Sequence, residues 1–227
     1  MTQPVALIVG VGTGLSASLA RLLHNNGMHI ALGARDVSKL DSLKQETNAQ
    51  VYTCDACEPD SVNTLFSAVV DDVGVPDIVV FNPSARVRGP VTEIDPEAVK
   101  QALLISCYGG FLVGQAAARL MVPLGRGTIA FTGATAGVKG FANSSSFAMG
   151  KFGLRGLAQS MARELAPKGV HVAHFVIDGG IVAAGTESPD DSRLDPDAIA
   201  RSYLEVHRQH RSAWSWEIEL RPWLEKF

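Results

Sequence analysis

Cysteine is scarce in this chain. The three residues present, Cys54, Cys57 and Cys107, are an odd number, which excludes a scaffold built wholly on disulfides. Cys54 and Cys57 have the C-x-x-C spacing of redox and zinc sites, but no second pair follows. They read as unpaired, reduced thiols suited to the cytoplasm, and no metal site is expected. Basic charge is also missing: 20 Lys and Arg against 23 Asp and Glu give a net charge of −3, so no broad positive field is available for nucleic acid. The one short basic run, from His207 to Arg211, reads as a solvated helix end. The apolar run Val5–Val9 is too short for a signal peptide, and Met1-Thr-Gln-Pro has no basic flank, so no leader is expected. No apolar stretch is read as long enough to span a membrane. There is no internal repeat and no low-complexity linker.

What is there is alternation. Short apolar runs at 5–9, 29–32, 50–53, 77–81, 128–132 and 170–177 read as strands, with a further strand at 217–220. Between them lie longer segments of helical spacing at 14–26, 37–46, 59–73, 96–122, 144–167 and 195–210, the last opened by Asp195-Pro196. Strands that alternate with helices and lack hairpin turns imply right-handed crossovers and a parallel sheet covered on both faces. The expectation is one α/β domain over 1–227, a doubly wound Rossmann fold of about seven mostly parallel strands. A Gly/Ser/Asp-rich loop near 182–195 is assigned to the substrate. The Trp-rich segment 214–227 either covers a neighbouring subunit or packs on its own sheet.

The first strand runs into Gly10-Val-Gly-Thr-Gly-Leu-Ser16. Gly10, Gly12, Thr13, Gly14 and Leu15 lie where a tight turn can bring backbone N–H groups and a helix N-terminus against a pyrophosphate. The second strand ends in Ala34-Arg35, with no acid at Ala34 to hold ribose hydroxyls. A guanidinium at Arg35 suits a 2′-phosphate, which favours NADP(H) over NAD(H).

Further along, Phe147-Ala-Met-Gly-Lys151 opens a long run of helical spacing. Together with the glycine turn it resembles the short-chain dehydrogenase/reductase family, from Val5 to about Ile181. In that family the glycine pattern is Gly-x-x-x-Gly-x-Gly, matched by Gly10 and Gly14 with Ser16 at the last position. The resemblance implies that Asp55, with Ala56, lies by the adenine, that Asn82 begins a degenerate Asn-Asn-Ala-Gly motif, and that the backbone of Ile181 meets the carboxamide. It implies a small-molecule substrate and a homodimer or homotetramer. The stripe Leu154, Leu157, Met161 and Leu165 would build a subunit interface, a core face, or both.

The family's proton donor is the tyrosine of Tyr-x-x-x-Lys, and here it is Phe147. Registering the neighbouring motifs places Ala134 at the serine position and Ser106 at the asparagine position. Only Lys151 of the four catalytic residues is retained, and its second family role is to bind the nicotinamide ribose. Enoyl reductases place their tyrosine seven residues before the lysine, at Ser144 here, which restores nothing. Losing a general acid costs roughly 10²–10⁴ in rate. Thr132, Thr135, Tyr108 and Ser144–Ser146 are possible substitutes, as is Asp178, although structural hydrogen bonding is the simpler role for each. His174 reads as a packed histidine. Three functions stay open: an oxidoreductase on a substrate needing little acid assistance, such as an iminium or polarised enone; a regulatory or scaffold protein that binds nucleotide without turnover; and a non-redox catalyst such as a cyclase.

Overall fold

Val5–Val9 is an unbroken apolar strand (β1), and an unbroken apolar strand is stable only when both of its faces are covered. The computed structural model, which describes residues 3–183, 186, 188 and 190–226, covers both. Strands β2 (His29–Ala34), β3 (Gln50–Thr53), β4 (Ile78–Phe81), β5 (Thr128–Thr132), β6 (His171–Ile177) and β7 (Glu217–Leu220) join β1 in one sheet. Its order is β3-β2-β1-β4-β5-β6-β7, and every neighbouring pair is parallel.

Side chains alternate across the sheet with a period of two. Ala6 and Ile8 face a layer made by α1 (Leu15–Asn25), α2 (Asp41–Thr47) and α7 (Pro196–His207), in which Leu19, Leu23 and Tyr203 are buried. Val5, Leu7 and Val9 face α3 (Pro59–Asp72), α5 (Gly109–Met121) and α6 (Ser145–Leu165), through Leu65, Val113 and Leu154. Tyr203 stacks on Phe175 of β6 at 3.6 Å between ring centroids. Helix α4 (Pro96–Leu103) and α7 start alike: the Asp95 and Asp195 carboxylates each accept two backbone N–H groups, with proline following in the first turn.

The differences from the sequence reading are local. The helix expected over 96–122 is α4 and α5 joined by a π-helical stretch, Leu104–Tyr108. Residues 96–124 are apolar and long enough to cross a membrane by length and composition, contrary to the expectation that no stretch is. Val113 and Ala117, fully covered against the sheet, make α5 a core helix instead. The basic run at 207–211 is not wholly solvated: His207 ends α7 half-buried, its Nδ1 2.9 Å from Thr128 Oγ1. The stripe Leu154, Leu157, Met161 and Leu165 packs into the protein's own core. The first part of the C-terminal segment packs on the protein's own sheet, where β7 joins it and Trp214 stacks on His171 at 4.7 Å, while Trp223 and Leu224 are exposed. Residues 1, 2 and 227 of the expected domain, and 184, 185, 187 and 189 of the expected substrate loop, lie outside the described residues. The base of that loop is pinned, with Val182 N–H donating to the Leu194 carbonyl and Leu194 N–H to Gly180.

Candidate active site

Strand order reverses between β1 and β4, so the helices that follow them diverge and leave a crevice at their carboxyl ends. An open cleft of about 1310 Å³ occupies this place. Gly10, at the end of β1, has φ +83°, and a Cβ there would lie 2.6 Å from Pro83. Only glycine permits that turn. Gly12 and Gly14 face open space, and α1 begins at Gly14 with no side-chain cap and no acid in its first turn. Its free N–H groups and positive dipole end are left for an external anion, so the residues fit a dinucleotide's pyrophosphate.

Ser16 has a role the glycine at its position could not have. It is buried, donates to the Gly10 carbonyl at 3.1 Å and accepts from Asn82 Nδ2 at 2.8 Å. It thereby ties the turn after β1 to the end of β4. Ser16→Ala is expected to cost about 1 kcal/mol in a urea melt, the usual net value of such a bond.

Gly10, Gly12, Gly14, Leu15, Arg35, Asp55, Ala56, Asn82, Ala134, Phe147, Lys151 and Ile181 all line this one cleft, while Thr13 and Ser106 do not. Arg35 is exposed beyond β2. The next residue, Asp36, is occupied by Ser38 and by Lys39, whose ammonium is 3.1 Å away. The Asp55 carboxylate accepts the Cys57 N–H at 3.0 Å, which fixes the turn after β3. Cys54, Cys57 and Cys107 are free thiols, and burial first, then the Asp55 charge, pushes the Cys57 thiol up to about 12.

At the other end of the cleft Lys151 is 2% exposed and its Nζ donates to the Thr132 carbonyl at 2.7 Å. Burial, and then the Arg86 charge, bring its pKa down to about 7. Phe147 lies one turn earlier on α6, with its ring centroid 5.9 Å from that Nζ. The Arg86 guanidinium covers the ring from the cleft side at 3.8 Å. Ala134 and Ala136 complete a small apolar group around Phe147, where no hydroxyl is presented.

Of the hydroxyls considered as substitutes, Ser144 lines the cleft, while Thr132, Thr135, Ser146 and Tyr108 are engaged or lie elsewhere. Thr132 Oγ1 is 2.9 Å from the Tyr203 hydroxyl, Ser146 bonds the backbone of Val87, and Tyr108 stacks on Phe111 away from the cleft. Thr135 donates to Asp178 at 2.5 Å, and Arg221 donates to the other Asp178 oxygen at 2.6 Å. Asp178 is thus a buried anchor between β6 and the C-terminal segment. His174 is fully buried with Nδ1 3.0 Å from Glu217, and burial pushes it down to about 4, so it is neutral and packed.

The short-chain dehydrogenase model matches residues 4–193. The chain belongs to the short-chain dehydrogenase family. It is 30% identical over 199 residues to (+)-borneol dehydrogenase 1 of Salvia officinalis, covering 84% of this chain and 74% of the relative. An uncharacterized oxidoreductase of Staphylococcus aureus strain N315 is 25% identical over 98% of both chains. Among solved structures, a short-chain dehydrogenase from Rhodopseudomonas palustris superposes with a TM-score of 0.85 at 33% identity, over 97% of this chain and 99% of that one. A metagenomic short-chain oxidoreductase in complex with NADP gives 0.87 at 26% identity, over 98% of both. The expectation of an oxidoreductase of this type stands with the family.

Arg86, Arg88 and Arg221 were not among the sequence-derived site residues, yet the first two line the cleft and the third anchors Asp178 beside it. Arg86 and Arg88 follow the degenerate Asn82-Pro-Ser-Ala85, in a stretch with neither helical nor strand spacing. The only sequence signal was two arginines with one residue between them, a few positions after a strand end.

Proposed function

We propose that this chain is an NADP(H)-dependent oxidoreductase whose substrate needs little acid assistance. One observation carries the reading: Lys151 lines the same cleft as the uncapped glycine turn and Arg35, while Phe147 and Ala134 stand between them without a hydroxyl. When bound, the nicotinamide supplies or accepts the hydride. The chain's own residues hold and orient it. The N–H groups at the start of α1 take the pyrophosphate, Arg35 takes the 2′-phosphate, and Lys151 holds the nicotinamide ribose. A substrate that arrives positively polarised, an iminium or a strongly polarised enone, forms no unassisted alkoxide, so a hydroxyl at Phe147 is not required of it. The cofactor of the metagenomic relative supports NADP.

The test is NADPH oxidation against ketones, enones and cyclic imines. Turnover of the last two classes, with ketones slow, is the expected result. NADPH binding with no oxidation of any class replaces the proposal with the non-catalytic reading. Arg35→Ala is expected to weaken NADPH about tenfold or more, the scale of one charge-assisted bond, with NADH affinity nearly unchanged in the same fluorescence titration.

Tyr108, Phe111, Met149 and Phe152 are exposed on the π-helical stretch, α5 and α6. This apolar surface supports a homodimer or homotetramer. The free thiols support a cytoplasmic setting.

A further inference from the structure

Residues 82–88 form no helix or strand, yet their backbone is held. Ser106 Oγ accepts the Ala85 N–H at 3.0 Å and donates to the Ala85 carbonyl at 3.4 Å. Ser146 Oγ accepts the Val87 N–H at 3.0 Å and donates to the Val87 carbonyl at 2.9 Å. Both serines are buried, at 0% and 1% exposure. Two hydroxyls thus clamp alternate residues inward, and the residues that follow each, Arg86 and Arg88, line the cleft. Gly89 N–H, bonded to the Asn143 carbonyl at 3.2 Å, closes the clamped stretch.

The Arg86 guanidinium lies over the Phe147 ring, its Cζ 3.8 Å from the centroid, beside the position where the reacting carbon must lie if Lys151 holds the nicotinamide ribose. Among the described residues neither Arg86 nor Arg88 has a carboxylate within ion-pair distance. The acids that line the same cleft are otherwise placed: Asp36 with Ser38 and Lys39, Asp55 with Cys57, Asp178 with Thr135 and Arg221, and Glu225 beside Gly179. Lys139 adds a third cation to this end of the cleft. Like charges held together on a clamped backbone, without a protein counter-ion, complement an anionic ligand.

We propose that Arg86 and Arg88 bind an oxyanion group of the substrate, a carboxylate or a phosphate monoester. The reacting compound is then an iminium or polarised enone that carries such an anion, and oxo acids and their esters serve as probes of the anion site. This rests on the oxidoreductase reading for the position of the reacting carbon. The guanidinium of Arg86 can fork onto two oxygens while it stays over the Phe147 ring.

The experiment is calorimetric titration of the NADPH-loaded protein with pyruvate, acetoacetate and levulinate, each beside its methyl ester. Dihydroxyacetone phosphate beside dihydroxyacetone is the phosphate arm. NADPH oxidation is followed separately. The expected result is that at least one anion binds about tenfold or more tighter than its neutral partner, the scale of a charge-assisted bond. Arg86→Gln should remove that preference, Arg88→Gln should reduce it, Arg86→Lys should keep part of it, and NADPH affinity should hold in all three. Equal binding of anions and neutral partners overturns the proposal, including where neutral ketones are turned over. A preference that survives in both glutamine variants, with NADPH affinity lost instead, also overturns it and assigns the arginines to the cofactor's phosphates. Anion preference without NADPH oxidation supports the oxyanion site and counts against the redox reading alone.

Discussion

Restoring both hydroxyls in one protein, Phe147→Tyr with Ala134→Ser, is expected to raise NADPH-dependent reduction of simple ketones about 10²- to 10³-fold. A positioned general acid contributes roughly 10²–10⁴ and an oxyanion donor roughly 10²–10³, and groups that act as a unit do not multiply. The surroundings suit the change. A phenol at position 147 would have the Arg86 guanidinium and the Lys151 Nζ over its ring, where the phenylalanine now has them at 3.8 and 5.9 Å from its ring centre. Positive charge at that range favours phenolate and lowers the phenol's pKa. Either single substitution should gain less than its share. The check is kcat/KM for a set of ketones, with a pH profile. The active double variant should acquire an ionisation that the parent lacks. A double variant that still binds NADPH but is no faster than the parent would remove these positions from the chemistry.

The second large effect concerns Lys151, where function and stability oppose each other. Burial lowers its pKa from 10.5 to about 7. Between those values the unfolded chain carries a proton that the folded chain does not. Stability therefore rises with pH across that window, and the contribution is lost as pH falls through about 7. The full span, at ~1.4 kcal/mol per pKa unit, is on the order of 5 kcal/mol as an upper bound. Lys151→Met removes the titration and also the bond to the Thr132 carbonyl, which costs about 1 kcal/mol. The variant is expected to be roughly 2 kcal/mol or more stabler than the parent at pH 6, with the difference closing by pH 10. It should at the same time weaken NADPH about tenfold or more through the lost ribose contact. Urea melts at pH 6, 7.5 and 9 decide the first part; a stability difference that does not change with pH would mean the ammonium reaches solvent in the folded protein.

Much of the fold was legible because its elements announce themselves by pattern. The runs at β1, β3, β5 and β7 were read with the bounds they have: β1 and β5 are mostly apolar and end at glycine, while β3 and β7 are short runs of β-branched, aromatic or alternating apolar residues. The nucleotide end of the cleft followed from the glycine turn, while the strand order that opens the cleft is seen only in the folded chain. What was not legible depends on contacts between distant residues. Nothing local in Leu104–Tyr108 distinguishes a π turn from an α turn. Ser106 was met as a substituted catalytic position and Ser146 as a hydroxyl with a structural role as its simpler reading, and only the folded chain shows both clamping one backbone stretch. Arg86 has no periodic context, so its place on Phe147 is a fact of tertiary packing. Leu154 and its stripe fitted either a core face or an interface; burial of Leu154 at 0% exposure puts it in the core.

The π-helical stretch at Leu104–Tyr108 takes up one residue more than an α turn of nearly the same rotation, so α5 keeps its phase with α4. In that phase Gly110 and Gly114 face Leu154 and Phe131, which a Cβ would meet at 2.5 Å and 2.9 Å. Deleting one residue there would close the bulge and leave those core contacts nearly in register. The loss would be local: the turn that presents Ser106 to Ala85 would change, and the arginine stretch would lose one of its two clamps. The extra residue therefore serves the cleft and not the core.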